Sequence, residues 1–382
     1  MAGSGIEPFE IAIDASVLDD LQRRLTSVRW PDAVEDAGWE YGSDLDYVRE
    51  LVAHWRDGYD WRAIERRLNQ LPQYRTEIDG IGIHFVHAPG RGPAPIPLLL
   101  NHGWPSSFYE MHKVIGPLSD PAAHGGDPAD AFHVVVPSLP GYGFSDRPRT
   151  KGVDTARIAD LWKTLMVDRL GYPRFGTQGG DWGAAIQTDL GNRHPEHLIG
   201  LHFNMLTPPV DPETLTPEQR EWWTEVQAYR DEEWGYVHLQ RTKPQTPSFA
   251  LNDSPAGLAA WIVEKWRRWS DCDGDPESVY TKDELLTTIM IYWVTETIGS
   301  SMRLYRETFG RTSGPGRYEV EDVPVGVAAF NEVNRPPRAL CEPFFDLHRF
   351  TVMERGGHFP AMEVPADLVE EVRAFYRPLR EG

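Results

Sequence analysis

The stretch Phe175-Gly-Thr-Gln-Gly-Gly-Asp-Trp-Gly-Ala-Ala decides the fold of this chain, because it has the pattern of a sharp turn between a strand and a helix. A short apolar approach leads to a central residue, Asp181, with the small residues Gly179 and Gly183 on either side. Such a turn presents a nucleophile at its tip and tolerates only small neighbours. An aspartate oxygen in that position can attack a saturated carbon atom and become an alkyl ester. An exposed Gly-Gly-Asp turn has the same letters, so the surrounding motifs must decide between the two interpretations.

A second motif, Ile96-Pro-Leu-Leu-Leu-Asn-His-Gly-Trp-Pro-Ser-Ser, predicts a buried strand, a turn, and a helix capped by one of the two serines. In a hydrolase of this pattern the turn faces the nucleophile. We therefore expect the backbone N–H groups of Trp104 and Trp182 to form an oxyanion hole, and both residues to contact substrate. A further apolar run, Phe132-His-Val-Val-Val-Pro, ends in a glycine-rich loop. Continuous apolar strands are typical of a parallel sheet covered on both faces.

The candidate base and its acid lie in the last part of the chain. The segment Phe350-Thr-Val-Met-Glu-Arg-Gly-Gly-His-Phe places His358 just past a predicted strand, and last in the order nucleophile, acid, histidine. The segment Val323-Pro-Val-Gly-Val-Ala-Ala-Phe-Asn-Glu predicts a strand with Glu332 just beyond its end. A carboxylate there could accept a hydrogen bond from the imidazole and fix its tautomer. Asp346 is the alternative acid, in a stretch with a helix-like pattern before the last strand.

These motifs resemble those of the epoxide hydrolases of the α/β-hydrolase fold, specifically the microsomal-type family with an extra N-terminal segment. The resemblance covers nearly the whole chain and rests on His102-Gly-Trp-Pro, Gly141-Tyr-Gly-Phe-Ser, Gly179-Gly-Asp-Trp-Gly, Arg355-Gly-Gly-His-Phe, Phe9-Glu-Ile-Ala-Ile and Arg29-Trp-Pro. It implies an α/β fold with a mostly parallel central sheet flanked by helices, a helical cap and an N-terminal wrapping segment. The family usually places its acid three residues after the phenylalanine of the seventh-strand motif, whereas Glu332 follows Phe330 by two positions. The animal members begin with a membrane anchor, and none is expected here.

The chain is therefore expected to divide into an N-terminal segment, a core in two parts, and a cap inserted between those parts. The predicted bounds are 1–90 for the N-terminal segment, 91–205 for the first part of the core, 206–318 for the cap and 319–382 for the second part. Within the N-terminal segment the pattern predicts a strand over 8–14 and helices over 15–27, 44–55 and 60–69.

The predicted cap is rich in aromatic residues, several of them at helical spacing, which is typical of a packed helical interior. Its tryptophans are Trp222, Trp223, Trp234, Trp261, Trp266, Trp269 and Trp293. The family resemblance points to two phenols in this region, Tyr236 and Tyr305. Opening an epoxide develops negative charge on the leaving oxygen, and a positioned phenol is a suitable acid for that atom.

The resemblance implies hydrolysis of an epoxide to a vicinal diol with no metal or organic cofactor. Asp181 would form the covalent ester, Tyr236 and Tyr305 would bind the epoxide oxygen, and His358 with Glu332 would activate water. A bulky or aromatic epoxide is expected, in detoxification or in secondary-metabolite biosynthesis. The main alternative is a haloalkane dehalogenase, which uses the same aspartate but needs N–H donors for a halide. A catalytically inactive binding protein of this fold is the other alternative. Serine esterase activity is disfavoured, because no Gly-x-Ser-x-Gly turn occurs.

The composition of this chain of 382 residues limits the kinds of partner that it is expected to bind. Its net charge of −20 argues against nucleic acid, whose phosphates would be repelled. There is no apolar run of about 18 residues, the length that a membrane span requires. The N-terminus has no signal-peptide pattern, so a cytoplasmic location without a membrane anchor is expected. The two cysteines, Cys272 and Cys341, suggest neither a zinc site nor a disulfide framework. The expected partners are a small epoxide and water, and a homodimer is compatible with the sequence.

Overall fold

The computed structural model describes residues 5–310, 319–332 and 335–380 of the chain. The first four residues and the predicted end of the cap at residue 318 lie outside these ranges. The strands are β1 Ile6–Pro8, β2 Gln73–Ile78, β3 Ile81–Ala88, β4 Ile96–Asn101, β5 Phe132–Pro137, β6 Phe175–Gly179, β7 Leu198–Phe203, β8 Val320–Ala329 and β9 Phe345–Val352.

Helices account for most of the remaining regular structure. The α-helices are α1 Ala15–Thr26, α2 Leu45–Asp57, α3 Trp61–Leu68, α4 His112–Ser119, α5 Thr155–Lys163, α6 Asp181–Arg193, α7 Pro217–Glu233, α8 Gly235–Thr242, α9 Gln245–Leu251, α10 Pro255–Trp269, α11 Lys282–Thr295, α12 Ile298–Phe309, α13 Arg338–Cys341, α14 Pro360–Glu363 and α15 Pro365–Tyr376. Short 3-10 turns lie at Phe108–Met111, Pro121–His124, Pro128–Asp130, Pro195–His197, Pro276–Ser278 and Arg377–Arg380, and a π-helical stretch at Thr164–Arg169.

The strands of the described residues form one sheet in the order β1-β2-β3-β5-β4-β6-β7-β8-β9. The first four strands in this order pair antiparallel, and all pairs from β5 to β9 are parallel. This is the mostly parallel α/β sheet that the sequence predicts. The chain reverses direction across the sheet between β4 and β6, where Asn101 pairs with Gly179. The turns that follow these two strands are therefore neighbours at the carboxyl edge, where open α/β sheets bind ligands.

The central strands are apolar along their whole length because helices cover them. Leu98 and Leu99 of β4 and Val134 and Val135 of β5 are fully buried, which fits strands packed on both faces. Helix α15 lies close against the sheet, since the hydroxyl of Tyr376 hydrogen-bonds the backbone of β6 at distances of 2.7 and 2.8 Å. Burying each of these aliphatic side chains stabilises the folded protein by about 1.5–3 kcal/mol relative to leaving it in water. The sheet therefore forms a rigid base for the turns at its edge.

The expected strand over residues 8–14 is wrong in extent, because β1 ends at Pro8. The backbone of the following residues is hydrogen-bonded by side chains of helix α3 and its end. The N–H of Ile11 donates to Asn69 Oδ1 and the N–H of Ile13 donates to Glu65 Oε1, each at 2.8 Å. Side-chain acceptors thus replace the neighbouring strand. The helices expected over 15–27, 44–55 and 60–69 are present as α1, α2 and α3, each with an aspartate accepting a backbone N–H at its start.

The N-terminal segment also binds the helices that follow β7. His54 Nε2 lies 2.7 Å from Asp283 Oδ1, and the hydroxyl of Tyr59 lies 3.0 Å from that of Thr287. The Ser43 hydroxyl donates to the backbone carbonyl of a residue in α10 at 2.7 Å. Helices α1 and α2 therefore pack directly on α10 and α11.

Helices α7 to α12 lie between β7 and β8 in the chain, where the sequence places the cap. Trp266 of α10 stacks on Phe359 with 4.1 Å between ring centroids, and its indole N–H donates to the carbonyl of Pro105 at 3.3 Å. The Tyr292 hydroxyl of α11 donates to the carbonyl of Ser106 at 2.7 Å. These contacts fix the cap over the carboxyl edge of the sheet. Among the described residues, no helix has both the length and the apolar character needed to cross a bilayer.

Candidate active site

The turn between β6 and α6 places Asp181 at the first position of the helix, with a φ of +47°. A non-glycine residue in this left-handed region is strained, and the surrounding structure must enforce that strain. Close neighbours do so here. A Cβ atom on Gly103 would lie 2.3 Å from Asp181 Oδ1, and one on Gly180 would lie 2.3 Å from Asn204 Nδ2. The backbone therefore holds the carboxylate at the tip of the turn.

The Asp181 carboxylate lies in a cradle of backbone N–H groups. The N–H of Trp104 donates to Asp181 Oδ1 at 2.8 Å, and the N–H of Trp182 also hydrogen-bonds this carboxylate. Burial raises the pKa of Asp181, while the nearby charge of His358 and these two N–H groups oppose that rise. The N–H groups of both predicted oxyanion residues thus act on the carboxylate of the predicted nucleophile, and that of Trp104 binds Oδ1. The other oxygen, Oδ2, is left facing the imidazole.

His358 lies between two carboxylates. Its Nε2 is 3.7 Å from Asp181 Oδ2, and its Nδ1 is 3.3 Å from Glu332 Oε2. The backbone N–H of His358 donates to the carbonyl of Trp269 at 2.9 Å, which ties the histidine loop to the end of α10. Burial would lower the pKa of His358. The charge and hydrogen bond of Glu332, followed by the charge of Asp181, overcome that effect and raise it to about 9.

Of the two candidate acids, Glu332 is the one beside His358. Its side chain is 11% exposed and follows the end of β8 by three residues. Asp346 lies on β9, so the expectation of a helix-like stretch there is wrong. The Asp346 side chain is 46% exposed and lies 3.0 Å from His348 Nε2. The strand pairs with β8, and the alternation of side chains along it turns Asp346 towards solvent.

The two predicted phenols lie on helices of the cap and border the same cavity as the Asp181 carboxylate. Tyr236 of α8 stacks on Trp104 with 5.1 Å between centroids and an interplanar angle of 10°. Tyr305 of α12 meets Trp182 edge to face at 4.6 Å, and the two phenol rings are 5.9 Å apart. Burial raises the pKa of both phenols well above the usual value, and the charge of Asp181 adds to the rise. Both groups are therefore neutral hydrogen-bond donors at physiological pH.

A cavity of about 1140 Å³ connects these groups. Asp181, Glu332, His358, Tyr236 and Tyr305 all border it, together with the indole of Trp182. Aromatic rings from the cap form much of the remaining wall, namely Trp222, Tyr229, Trp234, Trp269 and Phe309. A space of this size at the boundary between core and cap is typical of a small-molecule site.

Two further acidic residues near the site are not identified by the sequence analysis. Glu363 of α14 accepts backbone N–H groups from Asp271, Gly357 and Phe359, each at 2.8 Å. It therefore fixes the loop that carries His358. Glu110 is buried behind the site, and burial raises its pKa to about 7. The signal for Glu110 in the sequence is weak: one acidic residue in an apolar stretch six positions after Trp104.

The sheet, the strained aspartate turn and the cavity define a protein of the α/β-hydrolase class with a carboxylate at the nucleophile position. Two family models match the chain and support this. A model described as epoxide hydrolase N terminus matches residues 6–111. A model described as alpha/beta hydrolase fold matches residues 96–247.

Relatives extend the match to nearly the whole chain. Epoxide hydrolase 1 of Sus scrofa is 37% identical over 97% of this chain and 88% of its own length. The crystal structure of juvenile hormone epoxide hydrolase from Bombyx mori has a TM-score of 0.86 and 33% identity over 98% of this chain and 94% of that one. The structure of Aspergillus niger epoxide hydrolase has a TM-score of 0.86 and 28% identity over 98% of this chain and 96% of that one. The chain therefore belongs to the epoxide hydrolase family of the α/β-hydrolase fold.

Proposed function

We propose that this protein converts an epoxide to a vicinal diol through a covalent ester on Asp181. The observation that carries the proposal is that two neutral phenols, Tyr236 and Tyr305, border the same cavity as a buried carboxylate. A carboxylate can supply the attacking oxygen, and phenols can stabilise the oxygen that leaves carbon. These are the two demands of opening the ring of an epoxide.

In the first step Asp181 Oδ2 attacks one ring carbon. The C–O bond of the epoxide breaks, and its electron pair stays on the ring oxygen. Tyr236 and Tyr305 bind this oxygen through their hydroxyl groups, and one of the two phenols transfers its proton to it. Oδ1 keeps its hydrogen bond from the N–H of Trp104 at 2.8 Å. This division of the two oxygens supports Oδ2 as the attacking atom. The product of the step is a hydroxyalkyl ester of the protein.

In the second step His358 removes a proton from water, and the water oxygen attacks the Asp181 carboxyl carbon. Negative charge then develops on Oδ1, which accepts the N–H of Trp104, and the N–H of Trp182 adds a second donor to the same carboxyl group. Preorganised donors at such a position are among the largest contributions to catalysis. When the tetrahedral intermediate collapses, the former Oδ2 atom takes the proton from the His358 imidazolium and leaves in the diol. The water oxygen remains in the Asp181 carboxyl group, whose proton returns to the phenol.

The charges of the site couple the two steps. The Asp181 carboxylate is one of the groups that raise the pKa of His358 to about 9. Ester formation removes this negative charge, so the pKa of His358 falls when the ester is present. A lower pKa favours the neutral imidazole, which is the form that can accept a proton. The first step therefore prepares the base for the second.

The size and walls of the cavity support a bulky or aromatic epoxide as substrate. Its volume of about 1140 Å³ exceeds what a small aliphatic epoxide would fill. A role in detoxification or in secondary-metabolite biosynthesis stays a prediction from the sequence, with both alternatives open. The cytoplasmic location and the homodimer also stay predictions.

One observation favours a second candidate, a haloalkane dehalogenase. The indole N–H groups of Trp104 and Trp182 are buried without an acceptor among the described residues. The Trp182 indole borders the cavity and could bind a departing halide, whereas Trp104 does not border it. The two activities can be distinguished with pairs of substrates that share a carbon skeleton, one carrying an epoxide and the other a carbon–halogen bond. We expect diol formation and no release of halide.

The covalent step is tested with His358→Gln, which removes the base and keeps the nucleophile. Incubation with an aryl epoxide should accumulate the ester, seen by intact-protein mass spectrometry as an added mass equal to that of the substrate. In a single turnover of the wild-type protein in heavy-oxygen water, the label should enter the Asp181 carboxylate and not the diol. Label in the diol after that first turnover would contradict the proposal, because water would then have attacked the epoxide directly.

A further inference from the structure

Arg230 on helix α7 borders the main cavity and a smaller side cavity of about 230 Å³. Its guanidinium carbon lies 4.6 Å from the ring centroid of Trp234 and 5.1 Å from that of Trp223. Contacts of this kind hold a cation against the faces of aromatic rings, which offer its N–H groups no oxygen acceptor. The indoles therefore fix the orientation of Arg230 without satisfying its hydrogen bonds.

Within the described ranges, Arg230 has no acidic partner. No carboxylate forms an ion pair with it, and its Nε is buried without a hydrogen-bond acceptor. Burial lowers its pKa, and no neighbouring carboxylate counters that effect. An arginine remains charged in such surroundings. A half-buried cation without an anion is costly unless a ligand supplies one.

The side cavity is suited to the end of an apolar chain that carries such an anion. Arg230 is its one charged residue among the described positions. Trp222 also borders both cavities, and its indole N–H is buried without an acceptor. The remaining walls are mostly apolar and comprise Pro208, Pro209, Val210, Trp223 and Val226, with Thr207 at the junction.

Two arginines of α10, Arg267 and Arg268, also border the main cavity, and both are already hydrogen-bonded within the protein. Arg268 Nε donates to Glu233 Oε1 at 2.7 Å. Arg267 Nε donates to the carbonyl of Gly274 at 2.7 Å, and its guanidinium stacks on Trp39. Unlike these two arginines, Arg230 has no acceptor for its Nε among the described residues.

We propose that Arg230, with the indole N–H of Trp222, binds the carboxylate of substrates that carry an epoxide and a carboxylate at separate positions of an apolar chain. The epoxide lies at Asp181 and the carboxylate end enters the side cavity. This specificity rests on the proposed epoxide hydrolysis and adds a recognition site to it. Arg230 takes no part in bond making or breaking.

The test compares terminal-epoxy straight-chain carboxylates with their methyl esters over a series of chain lengths. The wild-type protein should prefer the carboxylate in kcat/KM at the lengths that span the two sites. A hydrogen bond to a charged group is worth roughly 1.5–3 kcal/mol, so Arg230→Gln should reduce the carboxylate-to-ester ratio by about 10- to 140-fold. Arg230→Lys keeps the charge without the planar donors and should retain part of the preference.

Arg268→Gln is the matched control, since it removes the same charge from the same cavity wall where Glu233 already neutralises it. Its carboxylate-to-ester ratio should stay at the wild-type value. An equal fall in both glutamine variants would overturn the proposal, because a general change of charge would then explain it. Turnover of the methyl ester reports on folding in each variant, so a loss confined to the carboxylate substrate supports the site.

Binding of octanoate and octanamide, measured by calorimetry, tests the site without chemistry. Octanoate should bind the wild-type protein more tightly than octanamide, and Arg230→Gln should abolish the difference. Equal affinity of the wild-type protein for both would overturn the carboxylate site even if epoxides are hydrolysed. A preserved octanoate site in a protein that forms no diol from any epoxide would instead refute the proposed function and leave the binding site standing.

Discussion

The core and the cap hold their site residues by different means. In the core, backbone geometry positions Asp181: its φ is +47°, and Gly103 and Gly180 leave no room for a Cβ atom. In the cap, ring packing positions Tyr236 and Tyr305, against Trp104 and Trp182 respectively. The core site should therefore fail abruptly when the backbone shifts. The cap site should lose activity gradually, because a ring keeps its place after the hydroxyl is removed.

The largest effect is expected from adding one methyl group to the core. Gly103→Ala would place a Cβ atom 2.3 Å from Asp181 Oδ1, so the carboxylate or the Trp104 N–H must move. Loss of one oxyanion donor and of the attack geometry should lower kcat/KM by about 10³-fold. The matched change in the cap is Gly235→Ala, where the new atom meets nothing within 4 Å. Steady-state kinetics of both variants should show the loss in the first alone, and equal losses would break the comparison.

An intermediate effect is expected from Glu332→Gln, which acts on the second step. The charge of Glu332 raises the pKa of His358, so its removal lowers that pKa. The base must be neutral, and the rate of ester hydrolysis therefore rises with pH until the histidine has lost its proton. In the variant this plateau should begin at a lower pH, while the maximal rate falls by roughly 10²-fold because the ring is less well oriented.

Rapid-quench measurement of ester decay across pH checks this expectation. Asp346→Asn is the control, since Asp346 is exposed and pairs with His348. Its decay rate and pH profile should match those of the wild-type protein. A wild-type profile for Glu332→Gln, or a shifted one for Asp346→Asn, would show that the acid is assigned to the wrong residue.

The smallest effect is expected from Tyr236→Phe and Tyr305→Phe, each of which should slow ester formation by about tenfold. The remaining phenol still binds the leaving oxygen, so the double variant should lose considerably more. Ester decay should keep its wild-type rate in all three variants, because the phenols act on the epoxide oxygen alone. Tyr280→Phe is a suitable control: this buried cap phenol bonds Ser270 and does not border the cavity. A change in ester decay would mean that the cap also serves the second step.

The sequence predicts the core well because its constraints are local. A tight turn between small residues and an apolar strand can be recognised from neighbouring letters, and the fold follows from several such turns in order. The carboxylate beside His358 is harder, since Glu332 and Asp346 both lie near strand ends. Three-dimensional packing separates them: one is buried next to the imidazole and the other is exposed on β9.

The sequence predicts the cap and the N-terminal segment less well, because their contacts are distant in the chain. Tyr236 and Tyr305 could not be distinguished from other cap aromatics without the family resemblance. The strand expected over 8–14 fails because Glu65 and Asn69, more than fifty residues away, bind its backbone. Arg230 is likewise inconspicuous in a charged helix. Its missing partner is visible only once the surrounding side chains are in place.

The bonds between the N-terminal segment and the cap have a consequence for protein engineering. Ser43, His54 and Tyr59 join residues of α10 and α11, so the cap is bound from two directions, by the core below it and by the start of the chain. A chimera that exchanges only the inserted helices with those of a relative would lose the junctions with the start of the chain. Recombination that transfers both segments together keeps them intact. Swapping specificity between members of this family is thus a problem of two crossover regions rather than one.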